Sequence, residues 1–197
     1  MSNQPGQGGQ PSGMPSWTNN LTARGTKPGP GGVALADFTD RAIAAFVDFL
    51  IIGIIGTIVA SVMTGILGDN FGGIFGINVR VPSLTSSLAT VVVMLIISAA
   101  YFVGMWTRMG GTVGNKVMKI SVRDASTGQP VSQGAAINRW LLLGAPAVLT
   151  SIYGWGIGII LAIVVFVYYL YLIYTTANSA TRQGLHDTYA KTVVAKG

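Results

Sequence analysis

Cysteine and glutamate are both absent from this 197-residue chain, histidine occurs once, and only 9% of the residues are charged. The missing thiols exclude disulfides and thiolate metal sites, and a single histidine does not make a structural metal site. A soluble domain carries roughly 25% charged residues. With half of its residues apolar, this chain lacks the polar surface to cover a globule in water, and lipid is its expected solvent. Twelve Lys/Arg stand against six Asp, a formal charge of +6. Nucleic-acid binding would need a soluble basic face, so the excess is read as lying against an anionic inner leaflet. A secretory signal is also missing, because residues 1–33 hold no apolar run of the necessary length. Their Gly, Pro, Gln and Ser content reads as a disordered cytoplasmic tail, with Trp17 an isolated aromatic inside it.

Long apolar runs dominate the remainder. Residues 42–67 carry one charge, Asp48, and are long enough to cross roughly 30 Å of hydrocarbon with tilt, with Thr39 or Asp40 placed to cap the helix. Residues 84–106 carry none and end in Tyr101, Phe102 and Trp106, which suit a water interface. Residues 140–176 are uncharged throughout, too long for one span and enough for two. The glycines and aromatics of 153–158 mark a turn between a short arm at 137–152, which with Pro146 inside it is expected to be kinked, to thin the bilayer or to be partly re-entrant, and a full arm at 155–176 whose tyrosines crowd its cytoplasmic end. This arrangement puts eleven of the twelve cations on one side, with Arg80 alone opposite, as the positive-inside rule requires. The expected architecture is therefore an all-α membrane protein of four transmembrane helices, both termini cytoplasmic, with a small cytoplasmic strand cap. In that cap Lys119–Arg123 alternates as a half-buried strand, 124–128 is turn chemistry, and the β-prone run around Thr192, Val193 and Val194 is expected to pair with it. Gly53 and Gly56, with Thr57, Ser61 and Thr64, are read as marks of close helix packing.

The ionisable residues carry the candidate chemistry. Asp48 lies two turns from Arg41 on nearly one helix face. An acid inside a span faces protein or a wet cavity. It is either pinned to a cation such as Arg139, or a cation or proton site, or a wet interfacial group. Arg41 and Arg139 also read as snorkelling anchors, and His186 as a surface or capping residue rather than a proton relay. Gly110–Lys116 lacks the Gly-Lys-Ser/Thr of a phosphate loop, and Gly154–Gly158 lies between membrane segments, so no nucleotide site is expected in either.

Taken together these residues resemble the RDD family of bacterial membrane proteins, named for one arginine and two aspartates, which map here to Arg41, Asp48 and Asp187. The likeness continues through the cytoplasmic loop residues Gly111, Gly114 and Lys116, through Ile120–Asp124 and Arg139, and into the Leu185-His186-Asp187 to Val194 ending, covering roughly 37–195. Asn115 stands where the family usually has Lys, and Lys191 where it has Gly. The resemblance implies a plasma-membrane domain for which transport, including cation/proton exchange, has been proposed. In that reading Asp48 alternates between proton and cation, with Arg41, Arg139 and Asp187 around it. In the alternative the chain is a non-catalytic accessory or assembly subunit, and Arg41, Asp48, Arg139, His186 and Asp187 form a structural cluster. No nucleophile–base pair or ligand set points to an enzyme. No cofactor, metal or nucleic acid is expected; the expected partners are the lipid bilayer and further copies of the chain or a larger membrane complex.

Overall fold

The computed structural model describes residues 33–72, 78–152, 157–179 and 181–197. The expected disordered tail to residue 32, Trp17 included, and the core of the expected turn at 153–156 lie outside the described residues. Helix α1 (Phe38–Leu67) runs 30 residues, roughly 45 Å. It starts before the expected position 42, so Thr39 and Asp40 sit inside its first turn. Asp37 is the N-cap residue, and its carboxylate turns away to Arg182 and Lys196. At the other end Arg80 donates to the carbonyls of Gly68 and Ile66, at 3.2 and 3.4 Å. The one cation of that loop thus sits at the negative end of the helix dipole. The loop itself is an antiparallel hairpin, β1 (Asp69–Gly72) and β2 (Asn78–Val81), which had no alternating signal strong enough to predict it. Helix α2 (Leu84–Met109) opens on a reciprocal Ser83–Ser86 capping box and runs three residues past the expected end.

Three helices among the described residues are long and apolar enough to cross a membrane: α1, α2 and the helix over Ile157–Ala177, called α6 below. The expected span at 137–152 is not one helix. After α3 (Val113–Val117) and β3 (Ile120–Asp124), it is built from α4 (Gln133–Leu143) and α5 (Ala145–Leu149), meeting at Gly144. Pro146 is the cause. It has no N–H to give the carbonyl of Leu142 four residues earlier. A backbone acceptor freed inside a bilayer must find another donor. Tyr168 on α6 supplies it, donating to the Leu142 carbonyl at 2.7 Å, and Tyr169 donates to Leu143 at 2.6 Å. These two tyrosines therefore point inward at the helix break, while Tyr171 and Tyr174 stay exposed.

The cap follows the expected pairing. β3 pairs antiparallel with β4 (Thr192–Lys196), Val122 opposite Val194. The segment before α1 adds to the same edge: Ala36 N–H donates to Val194, Lys196 N–H donates to Ala34, and Leu35 bridges Ala195. Two strands are marginal alone, and here they lean on helix ends. Trp106 of α2, Val122 of β3, Val131 just before α4 and Ala136 of α4 share one core cluster with Phe102, Met94 and Ile52 deeper down. The cap is continuous with the membrane helices and is not a separate domain. Of Gly53 and Gly56, a Cβ added to Gly56 would come into ordinary contact with Met94 of α2, whereas one on Gly53 would meet nothing within 4 Å, so of the two only Gly56 lies beside α2.

Candidate functional site

The polar residues of interest gather where the cap meets the helices, in two groups. In the first, Asp48 is 4% exposed and accepts three hydrogen bonds. The donors are the Tyr101 hydroxyl at 2.7 Å, the Thr112 hydroxyl at 2.5 Å and the Gly114 N–H at 2.8 Å. The expected pair with Arg139 does not form, nor does one with Arg41. Asp48 instead ties the third turn of α1 to α2 and to the first turn of α3, where Thr112 is the N-cap. Gly114 permits this closeness, because a Cβ there would overlap the Ala44 carbonyl of α1. A Cβ on Gly111 would likewise crowd Asn115, at 2.9 Å. Lys116 faces outward, exposed, away from both groups.

The second group centres on Asp187, which has no solvent exposure. It lies in α7 (Leu185–Ala190), whose start it braces by accepting the Gly184 N–H at 3.1 Å. Arg41 and Arg139 both pair with its carboxylate. Arg139 also donates to the Thr192 hydroxyl at 2.8 Å, and its guanidinium lies 5.1 Å from the centre of the Trp106 ring. Arg41 reaches the Arg182 carbonyl. Neither arginine is a snorkelling anchor; both are desolvated and held on one carboxylate. Two cations on one anion leave a positive charge in excess at this end.

His186 is 5% exposed, contrary to the surface reading, and its Nδ1 has no hydrogen-bond partner. Burial, with the Arg139 and Arg41 guanidiniums beside it, holds the imidazole well below its ordinary value near 6.5. The folded protein therefore keeps His186 neutral while the unfolded chain takes up a proton below about pH 6.5. Its stabilising contribution is complete above that value and is lost as pH falls towards the lower folded-state pKa, with a slope of at most about 1.4 kcal/mol per pH unit. Thermal unfolding in detergent is expected to show a drop in Tm between pH 7.5 and 5.5 that flattens in His186→Asn. An equal drop in the variant would assign the slope elsewhere.

Tyr101 and Trp106 are expected from the sequence only as interface aromatics and Thr192 only as a strand residue, and Thr112 is given no role of its own; Trp106 is 2% exposed, packed inside the protein. A hydroxyl two residues before a glycine N–H, as in Thr112 and Gly114, does mark a pair of donors at a helix start, but nothing local names the acid they serve. The departure at 191 has a plain cost. Lys191 is left-handed, φ 53° and ψ 45°, at the end of α7, where a side chain is strained and glycine is not. Lys191→Gly should raise stability by about 0.5–1 kcal/mol, measured as a higher Tm; an unchanged or lower Tm would contradict the strain argument.

The family model of the RDD family matches residues 35–191. No curated protein and no solved structure matches the chain.

Proposed function

We propose that this chain, which belongs to the RDD family, is a non-catalytic accessory or assembly subunit of a larger membrane complex in the bacterial plasma membrane. The observation that carries this reading is the closure of Asp48. Its oxygens are occupied by two hydroxyls and a backbone N–H, with 4% exposure. A proton/cation exchanger needs an acid that opens to water, whereas this one fastens α1 to α2 and α3. Two guanidiniums at the cap end would also oppose a cation approaching from that side. Meanwhile α1 and α6 turn large apolar side chains outward, among them Phe46, Ile54 and Ile58 on α1 and Ile163, Phe166 and Val167 on α6, a surface that suits lipid or neighbouring subunits.

Four crossings with both termini cytoplasmic complete the proposal. Residues 34–36, 120–124 and 192–196 join in one sheet region, so the chain enters and leaves the helices at one end. Three long helices are an odd number. The broken α4–α5 arm, which starts at that end beside Asp187 and runs away from it, supplies the even one. Among the described residues the cap side carries nine of the ten cations, with Arg80 alone at the other end, which supports its cytoplasmic placement.

Purification of the full chain in mild detergent should retain a stoichiometric second protein, while proteoliposomes of the purified chain should show no cation-driven proton flux. Cation-driven flux that disappears in a folded Asp48→Asn variant would overturn this reading in favour of exchange. For Asp48 as a structural tie, Asp48→Ala should cost about 2–4 kcal/mol, since three buried donors lose their acceptor. A Tm within a degree of the parent would remove that role.

A further inference from the structure

A cleft of about 560 Å³ lies between α1 and α6, floored by α2, α4 and the cap. Its two walls meet where Phe49 stands edge-on to Tyr169, with ring centroids 5.3 Å apart. Polarity along it is graded. At the cap end it is bounded by Arg41, Arg139, His186 and Thr176; towards the middle of the helices it is bounded by Ala162, Val165 and Phe166. Phe46 and Phe166, both largely exposed, flank a side opening towards the lipid-facing surface.

The cap end contains two buried nitrogens with no hydrogen-bond partner, Arg139 Nε and His186 Nδ1. The side chains that carry them are 5% and 7% exposed. A buried guanidinium N–H without an acceptor costs several kcal/mol in a medium that offers no water, so this end calls for an oxygen-bearing group. The charge points the same way, because Arg41 and Arg139 share the single carboxylate of Asp187. Asp48 also borders the cleft, but three of a carboxylate's roughly four acceptor positions are taken by Tyr101, Thr112 and Gly114. It forms no ion pair with either arginine, both of which go to Asp187.

We infer that this cleft holds one anionic membrane lipid, with its headgroup phosphate against Arg139 and Arg41 at the cap end and an acyl chain lying between α1 and α6. The depth order fits a lipid of the cap-side leaflet. Arg41 is in the first turn of α1 and Thr176 in the last turn of α6, where headgroups lie, and the apolar stretch extends from there along both helices into the hydrocarbon. A free phosphate would use the polar end and leave the apolar length unoccupied. A zwitterionic lipid would bring a cationic group to an end that already carries excess positive charge. The inference does not depend on whether the chain works as a subunit, since the cleft is formed within one copy.

Native mass spectrometry of the full chain, exchanged into mixed micelles with equal phosphatidylglycerol and phosphatidylcholine, tests it. One phosphatidylglycerol should be retained per chain, with a preference of about tenfold or more over phosphatidylcholine. Ala162→Trp, which fills the apolar length without touching the arginines, should reduce retention about tenfold at unchanged Tm. Ile159→Trp, an exposed α6 position outside the cleft, should leave retention as it was. Equal retention of the two lipids, or full retention in Ala162→Trp, would overturn the inference. So would displacement of the lipid by millimolar inorganic phosphate, which would make the site one for a free anion.

Discussion

Asp187→Ala is expected to abolish the folded protein at ordinary expression levels or to lower its stability by more than any other single polar change. The carboxylate has no exposure, and it is the shared partner of Arg41 and Arg139, whose side chains are 9% and 5% exposed. Breaking one buried pair by removing a partner costs about 3–5 kcal/mol, because a desolvated charge is left without compensation. Here two guanidiniums lose their counter-ion together, and Gly184 N–H loses its acceptor at the start of α7. That exceeds a large part of the stability of a typical domain, about 5–15 kcal/mol. Asp187→Asn keeps acceptor oxygen but not charge, and should fall between the two. The measurement is monodispersity and Tm in detergent. Parent-like values for Asp187→Ala would show that the arginines are solvated in the bilayer and that the cluster is not what joins cap to helices.

Gly114→Ala should produce the second large loss. A methyl group there would collide with the Ala44 carbonyl, which is backbone of α1 and has no rotamer to escape into. Either α3 moves off α1, breaking the Gly114–Asp48 hydrogen bond, or α1 bends. Overpacking of this kind costs about 1–3 kcal/mol and more when backbone must shift, so about 3 kcal/mol is expected. Gly53→Ala is the internal control, since its Cβ would meet nothing within 4 Å. Alanine is favoured over glycine in a helix by about 0.8–1 kcal/mol, and this variant should hold or raise Tm. If both substitutions gave the same Tm, close approach at Gly114 would not be what limits that position.

The contrast between these two glycines shows where sequence reading stops. Both lie in segments whose composition gives them away, one in an apolar helix and one in a glycine-rich loop. Only the distance to a neighbouring element says which tolerates a side chain. The same holds for α4 and α5. Pro146 announces a break in an uncharged run, but the hydroxyl that satisfies the Leu142 carbonyl comes from Tyr168 on the next helix. Amphipathic rings near the end of a span ordinarily favour the interface, and a freed carbonyl in a low-dielectric setting outweighs that preference for Tyr168.

By itself the sequence determined the solvent, the long apolar helices, the side on which the basic segments gather and the pairing of β3 with β4. These follow from charge deficit, run length and two-residue alternation, which are local and additive along the chain. It also put forward Arg41, Asp48, Arg139, His186 and Asp187. Only the tertiary structure decided who pairs with whom. Arg41 and Arg139 both go to Asp187, and Asp48 goes to Tyr101, Thr112 and Gly114. The physical reason is that a buried charge takes whichever compensating group the packing of distant elements delivers. Here α7 brings Asp187 to Arg41 at the start of α1 and Arg139 in the second turn of α4, while α3 presents its first-turn donors to Asp48, and neither placement is written in the spacing of the residues concerned.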